Sequence, residues 1–145
     1  MDAWKAFLRA QSSVLTTLED ELQHERGLSL TAYEVLLHLS RAPAEGLRMQ
    51  ELARRSVLSK SGLTRLIDRM EKDGLVARRA CPSDRRGTFA VITDAGREAQ
   101  ARAAPVHLRG VREHFASHLT EEEARAVRDA LSKMIAGEEL TPSGP

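Results

Sequence analysis

One cysteine, Cys81, stands in 145 residues. No disulfide can form within the chain, and a reducing compartment is the default for such a sequence. Aromatic residues are only 3% of the composition, which argues against a large aromatic-lined cavity in each chain. No apolar run approaches the ~18 residues of a membrane span, and the N-terminus has no signal-peptide core; the expected location is cytoplasmic. The motifs of common enzymes are missing too. There is no glycine-rich phosphate loop, no nucleophile elbow, no HExxH and no recognisable Ser/His/Asp spacing, so neither an enzyme nor a cofactor is expected. There is no internal repeat. The length fits one core with a dimerisation extension.

Net charge is also scarce, at +1, but it is unevenly spread. Residues 48–87 hold eleven basic and five acidic side chains, a local +6, and the rest of the chain holds eleven basic and sixteen acidic, or −5. A basic middle between acidic ends is the asymmetry of a nucleic-acid face.

Periodicity then orders the chain. A first helix is predicted over about Ala3–His24, with Trp4, Phe7, Leu8, Val14, Leu15, Leu18 and Leu22 on one stripe. That stripe is longer than a small core needs and suggests a partner chain. A second helix is predicted to open with a capping box made by Thr31 and Glu34, and to bury Val35, Leu36, Leu37 and Leu39. Leu47-Arg48 is a short strand candidate, followed by a helix over about Met49–Ser56 and a turn. The next helix spans about Lys60–Asp73, with Ser59 as N-cap, Leu63, Leu66, Ile67 and Met70 inward, and Gly74 in the left-handed position after it. Strands are predicted over Leu75–Arg79 and Thr88–Ile92, flanking an arginine-rich turn at Cys81–Gly87. Thr93 caps a fifth helix, which Pro105 should kink or interrupt and whose later apolar face is Val106, Val111, Phe115 and Leu119. Thr120 and Glu123 form a capping box for a sixth, with Val127, Leu131, Met134 and Ile135 inward, ending near Ala136. The fold expected is mainly α with a small β-hairpin wing, a winged helix-turn-helix whose terminal helices intertwine with those of a second copy. The division is a dimerisation helix over 1–28, a DNA-binding lobe over 29–96, dimerisation helices over 97–136 and a flexible tail over 137–145.

Five segments, in order, carry a resemblance. They are Leu30–Leu36, Met49–Ala53, Ser59–Glu71, Asp73–Val76, and Asp84-Arg85-Arg86-Gly87 leading to Ile92–Gly96. Together the pattern resembles the MarR family of bacterial winged helix-turn-helix transcriptional regulators, over nearly the whole chain. The resemblance implies a homodimer that binds a pseudo-palindromic promoter site in double-stranded DNA, acts as a repressor, and is released by a small lipophilic or phenolic ligand. A redox- or zinc-responsive regulator of the same fold, and a winged-helix module that docks on protein, stand as alternatives.

The residues expected to meet DNA follow from position. Ser59 and Lys60 sit at a helix N-terminus, which favours phosphate. Ser61, Thr64 and Arg65 lie opposite the buried face; Arg65 can pair with guanine O6 and N7. Gln50, Arg54 and Arg55 flank them. Arg69 and Lys72 either contact phosphate or pair with Asp68 and Glu71. Arg85 and Arg86 sit at the wing tip, and the resemblance directs Arg86 toward the minor groove, whose narrowness attracts arginine; Asp84 would shape that turn. A ligand pocket, by resemblance, would be walled by Trp4, Leu8, Ser12, Tyr33 and Leu37. Redox-sensing members carry their cysteine near the first helix, so Cys81 is read as an incidental thiol. His114 and His118 have metal-binding spacing, but nothing clustered in sequence completes a ligand set, so no metal site is expected.

Overall fold

The computed structural model describes residues 1–56, 58–81 and 84–139, with the side chains of 81, 84–86 and 136–139 outside the description. The order is α1 (Asp2–Arg26), α2 (Leu30–Ser40), β1 (Leu47–Arg48), α3 (Met49–Arg55), α4 (Lys60–Lys72), β2 (Val76–Cys81), β3 (Asp84–Ile92), α5 (Asp94–His114), a 3-10 turn (Ala116–His118) and α6 (Glu121–Glu139). The three strands form an antiparallel sheet in the order β1-β3-β2. Leu47 pairs with Ala90 and Arg48 with Phe89, so the two-residue strand is held by the hairpin, as its sequence required. Among the described residues no helix is long and apolar enough to cross a membrane.

One core runs through the lobe. Val35, Leu36 and Leu39 of α2, Leu52 of α3, Leu63, Leu66, Ile67 and Met70 of α4, Val76, Ala90 and Ile92 of the sheet, and Ala103 and Val106 of α5 are buried together with Leu18 and Leu22 of α1. This is the apolar stripe of each helix turned inward.

Several expectations need correction. Helix α2 is capped by Ser29, which accepts from the Ala32 N–H at 3.2 Å. It is not capped by the Thr31/Glu34 box. The Leu30 N–H is taken by the Glu19 carboxylate of α1 at 2.6 Å, so a tertiary contact lets the helix begin earlier than local pattern indicates. Helix α5 runs through Pro105 without interruption. Proline removes one N–H from the helix, but Ala103 and Val106 on either side are anchored in the core. The hairpin reaches further into the arginine-rich segment than alternation suggested. The ladder continues through Ala80↔Thr88 to Cys81↔Asp84, with a register shift after Ala80; a bulge permits pairing where composition reads as turn. Leu75 is outside the strand. Its N–H bonds Met70 O at 2.8 Å and its carbonyl accepts from Thr93 at 3.1 Å.

In the terminal helices the apolar stripes are largely uncovered within one chain. Phe115 and Leu119 lie beyond the end of α5. Met134 and Ile135 of α6, expected inward, are 68% and 61% exposed. Trp4, Phe7, Leu8 and Leu15 of α1 are exposed as well. Helix α6 also continues past Ala136 to Glu139, and residues 140–145 of the expected flexible tail lie outside the described residues. The Thr120 capping box is present, with Glu123 N–H donating to Thr120 Oγ1 at 3.3 Å and Thr120 N–H to Glu123 Oε2 at 2.8 Å.

At the junction, Thr93 Oγ1 donates to Gly74 O at 2.6 Å and accepts from Gly96 N–H at 3.0 Å. A Cβ on Gly96 would meet Leu75 O at 2.1 Å, so only glycine lets α5 start this close to the end of α4. Gly74 itself has φ 72°, the left-handed residue expected after the helix.

Candidate nucleic-acid interface

Helix α4 presents two unlike faces. Leu63, Leu66, Ile67 and Met70 are buried, while Ser61, Thr64, Arg65, Asp68 and Arg69 are exposed. Its first turn is fixed by Ser59, whose hydroxyl accepts from the Gly62 N–H at 3.1 Å. Ser61 Oγ lies 3.3 Å from Ser59 Oγ, and Thr64 Oγ1 donates to Lys60 O at 2.9 Å. The Ser59 and Ser61 hydroxyls thus lie at the open end of the helix, where N–H groups and the helix dipole favour an anion, while that of Thr64 is held against the backbone one turn on.

Two shallow grooves flank this helix. One is bordered by Thr31, Gly62, Arg65, Asp68 and Arg69. The other brings Gln50 of α3 beside Lys60 and Thr64 of α4, so residues distant in sequence share one surface. Arg54 and Arg55, also on α3, are both paired with Glu51, at 3.0 and 2.9 Å. The hydrogen bond from Arg55, and then the charge of Arg54, hold the Glu51 carboxyl below its ordinary pKa.

The acids of α4 take a partner that sequence reasoning missed. Arg78 of β2 reaches Asp68 Oδ1 and Glu71 Oε2, each at 2.7 Å, and its backbone N–H donates to Glu71 Oε1 at 3.0 Å. Burial works against the charge of Arg78, but hydrogen bonds to Glu71 and Asp68 outweigh it and raise the guanidinium pKa. The signal was available: strand alternation puts Arg78 on the same face as the buried Val76, toward α4. Among the described residues Arg65, Arg69 and Lys72 make no ion pair with these acids.

Other expected sites are dispersed. Arg85 and Arg86 belong to β3 and Cys81 to β2, but their side chains, with that of Asp84, lie outside the described residues. Of the five pocket residues, Trp4, Leu8 and Ser12 are exposed on α1, Leu37 is partly covered, and Tyr33 is buried with its ring 4.6 Å from that of His107. Burial raises the Tyr33 pKa and lowers that of His107, whose Nδ1 is buried with no hydrogen-bond partner among the described residues. His114 and His118 are not one helical turn apart, because α5 ends at His114. His114 Nε2 instead lies 2.6 Å from Glu21 Oε1 of α1. Glu21, Glu113 and His114 place three donor atoms within 4.8 Å of one another, beside Arg109, whose positive charge competes for the same carboxylates.

A helix-turn-helix followed by a two-stranded wing, with the second helix exposing a basic face, defines the winged-helix class of DNA-binding proteins. Comparison with known proteins agrees. Residues 26–87 match the MarR family. AbsC, a MarR family transcriptional regulator from Streptomyces coelicolor, is 37% identical with a TM-score of 0.89, over 96% of this chain and 93% of that one. Sco3205, another from the same organism, solved in complex with DNA, is 35% identical with a TM-score of 0.88, over 97% and 90%. CouR from Rhodococcus jostii RHA1, solved bound to p-coumaroyl-CoA, is 27% identical with a TM-score of 0.79, over 92% and 91%. The chain belongs to the MarR family of transcriptional regulators, DNA-binding proteins and not enzymes.

Proposed function

We propose that the protein is a cytoplasmic repressor that works as a homodimer, with α4 of each copy entering successive major grooves of a pseudo-palindromic promoter site. The observation that carries this is the exposed face of α4. It offers Lys60, Ser61, Thr64, Arg65 and Arg69 in one line, backed by a buried apolar face that leaves the helix no freedom to turn. Arg65 reads a guanine edge; Ser59, Lys60, Ser61 and Gln50 position the phosphate backbone. Thr64 contributes a base-edge or phosphate contact. Arg85 and Arg86 extend the footprint through the wing.

The exposed apolar residues of α1 and α6 support a second copy as their cover. Residues 1–28 and 97–136 then form the dimerisation part and 29–96 the reading lobe. The complex of CouR with p-coumaroyl-CoA supports a small-molecule effector here as well, with Trp4, Leu8, Ser12, Tyr33 and Leu37 as the residues to test. Such an effector acts by population shift. It binds the dimer better when the two α4 helices no longer match half-sites one helical turn apart.

Selection of binders from a random duplex library with purified protein, at near-physiological salt, tests the reading. A two-fold symmetric site with half-sites about ten base pairs apart is expected. Weak, salt-sensitive binding with no enriched sequence would refute it.

A further inference from the structure

Asp68 sits in the middle of the DNA-facing surface of α4, an awkward place for an acid. It is three residues after Arg65 and four before Lys72, spacings at which side chains on one helix meet and pair. Yet among the described residues neither pair is present. Asp68 is held at 2.7 Å by Arg78, a residue of the neighbouring strand, which also binds Glu71 at 2.7 Å and lies 3.5 Å from the Thr64 carbonyl. Arg78 is the least exposed of the three, its side chain 25% accessible. It therefore draws both acids away from the helix's own cations and toward the wing.

We infer that Arg78 is a positioning residue for DNA binding: by sequestering Asp68 and Glu71, it keeps Arg65, Arg69 and Lys72 available to DNA and fixes the wing strand against α4. The inference rests on the DNA-reading role of α4 proposed above. Without Arg78, Asp68 is left to pair with Arg65 and Lys72 along the helix and to face phosphate with an uncompensated charge. The effect on folding is small, because partly exposed ion pairs add little to stability. The effect on binding is larger, since capture of Arg65 removes a base contact.

The experiment compares wild type, Arg65→Ala, Arg78→Met, Arg78→Lys and Arg78→Met/Asp68→Asn on a duplex selected from a random library with the wild-type protein. Affinity is read by fluorescence anisotropy and folding by thermal melting. Arg78→Met is expected to bind about tenfold more weakly, comparable to losing one arginine–base contact, with a melting temperature near that of wild type. Arg78→Lys keeps the charge and should stay within about threefold. Adding Asp68→Asn to Arg78→Met should restore most of the lost affinity, a rescue that a purely structural role for Arg78 would not give. Binding by Arg78→Met within about twofold of wild type, while Arg65→Ala loses affinity, overturns this inference and leaves the DNA-reading role standing. So does a double variant, or a lysine variant, as weak as Arg78→Met. If the wild type selects no duplex, the DNA-reading role fails and this inference with it.

Discussion

The lobe and the terminal helices solve the same problem differently. In the lobe, every apolar residue predicted on the inner face of α4 is buried within the chain's own core. In the terminal helices, Trp4, Phe7, Leu8 and Leu15 of α1 and Met134 and Ile135 of α6 obey the same helical spacing and remain in solvent. Helical periodicity tells which face is apolar, but not whether the cover comes from the same molecule. Large exposed apolar faces on small proteins mark association surfaces, so the contrast separates a part complete in one chain from the part proposed above to take a second copy as its cover.

The strongest challenge to this contrast is a cavity in the lobe. Leu36 is fully buried, and Leu36→Ala should cost about 2–5 kcal/mol of stability, measured by denaturant unfolding. A loss below about 1 kcal/mol would mean the lobe core is not closed as described.

A change in the other region should act on assembly. Phe7→Ser with Met134→Ser alters residues that are 41% and 68% exposed in the single chain, where substitutions are ordinarily near neutral. In the proposed dimer they would lie in the interface. Sedimentation is expected to shift toward monomer, and the melting temperature of the wild type, but not of the variant, should rise with protein concentration. A wild type that sediments as a folded monomer would remove the dimeric half of the comparison.

A smaller effect sharpens the boundary between the two regions, where His107 of α5 packs on Tyr33 of α2. Burial lowers the His107 pKa in the folded state. Above its unfolded value, about 6.5, the residue is neutral in both states and this contribution to stability is full. As pH falls below that value the unfolded chain takes the proton first, and stability is lost down to the lowered folded value. The melting temperature should therefore fall on acidification below pH ~6.5, and His107→Gln should flatten that fall. Equal slopes for wild type and variant would remove His107 as the cause.

Most of the lobe was legible in the sequence because its determinants are local. Ser59 and Thr93 announce their helices, Gly74 ends one, and the α4 stripe names its own buried face. The features that escaped are set by contacts across the fold. Glu19 of α1 takes the free Leu30 N–H at the start of α2. The hairpin lengthens through a register shift that composition cannot reveal. Among site residues, the sequence located Gln50, Lys60, Thr64 and Arg65 on one surface. It offered Asp68 and Glu71 to Arg69 or Lys72 by proximity along the helix, whereas the structure gives them to Arg78, ten and seven residues away and on another element. The pocket residues were the least legible, because three of the five are exposed in one chain and any cover for them must come from elsewhere.

The exposed face of α4 is proposed to read base sequence in two symmetric half-sites. Repeating the duplex selection with Arg65→Ala, at the same salt, tests it most directly. The expected result is loss of preference at one base pair in each half-site, related by the two-fold axis, while the other positions persist and affinity falls by a factor consistent with about 1–3 kcal/mol. An unchanged consensus, selected with unchanged affinity, would contradict it.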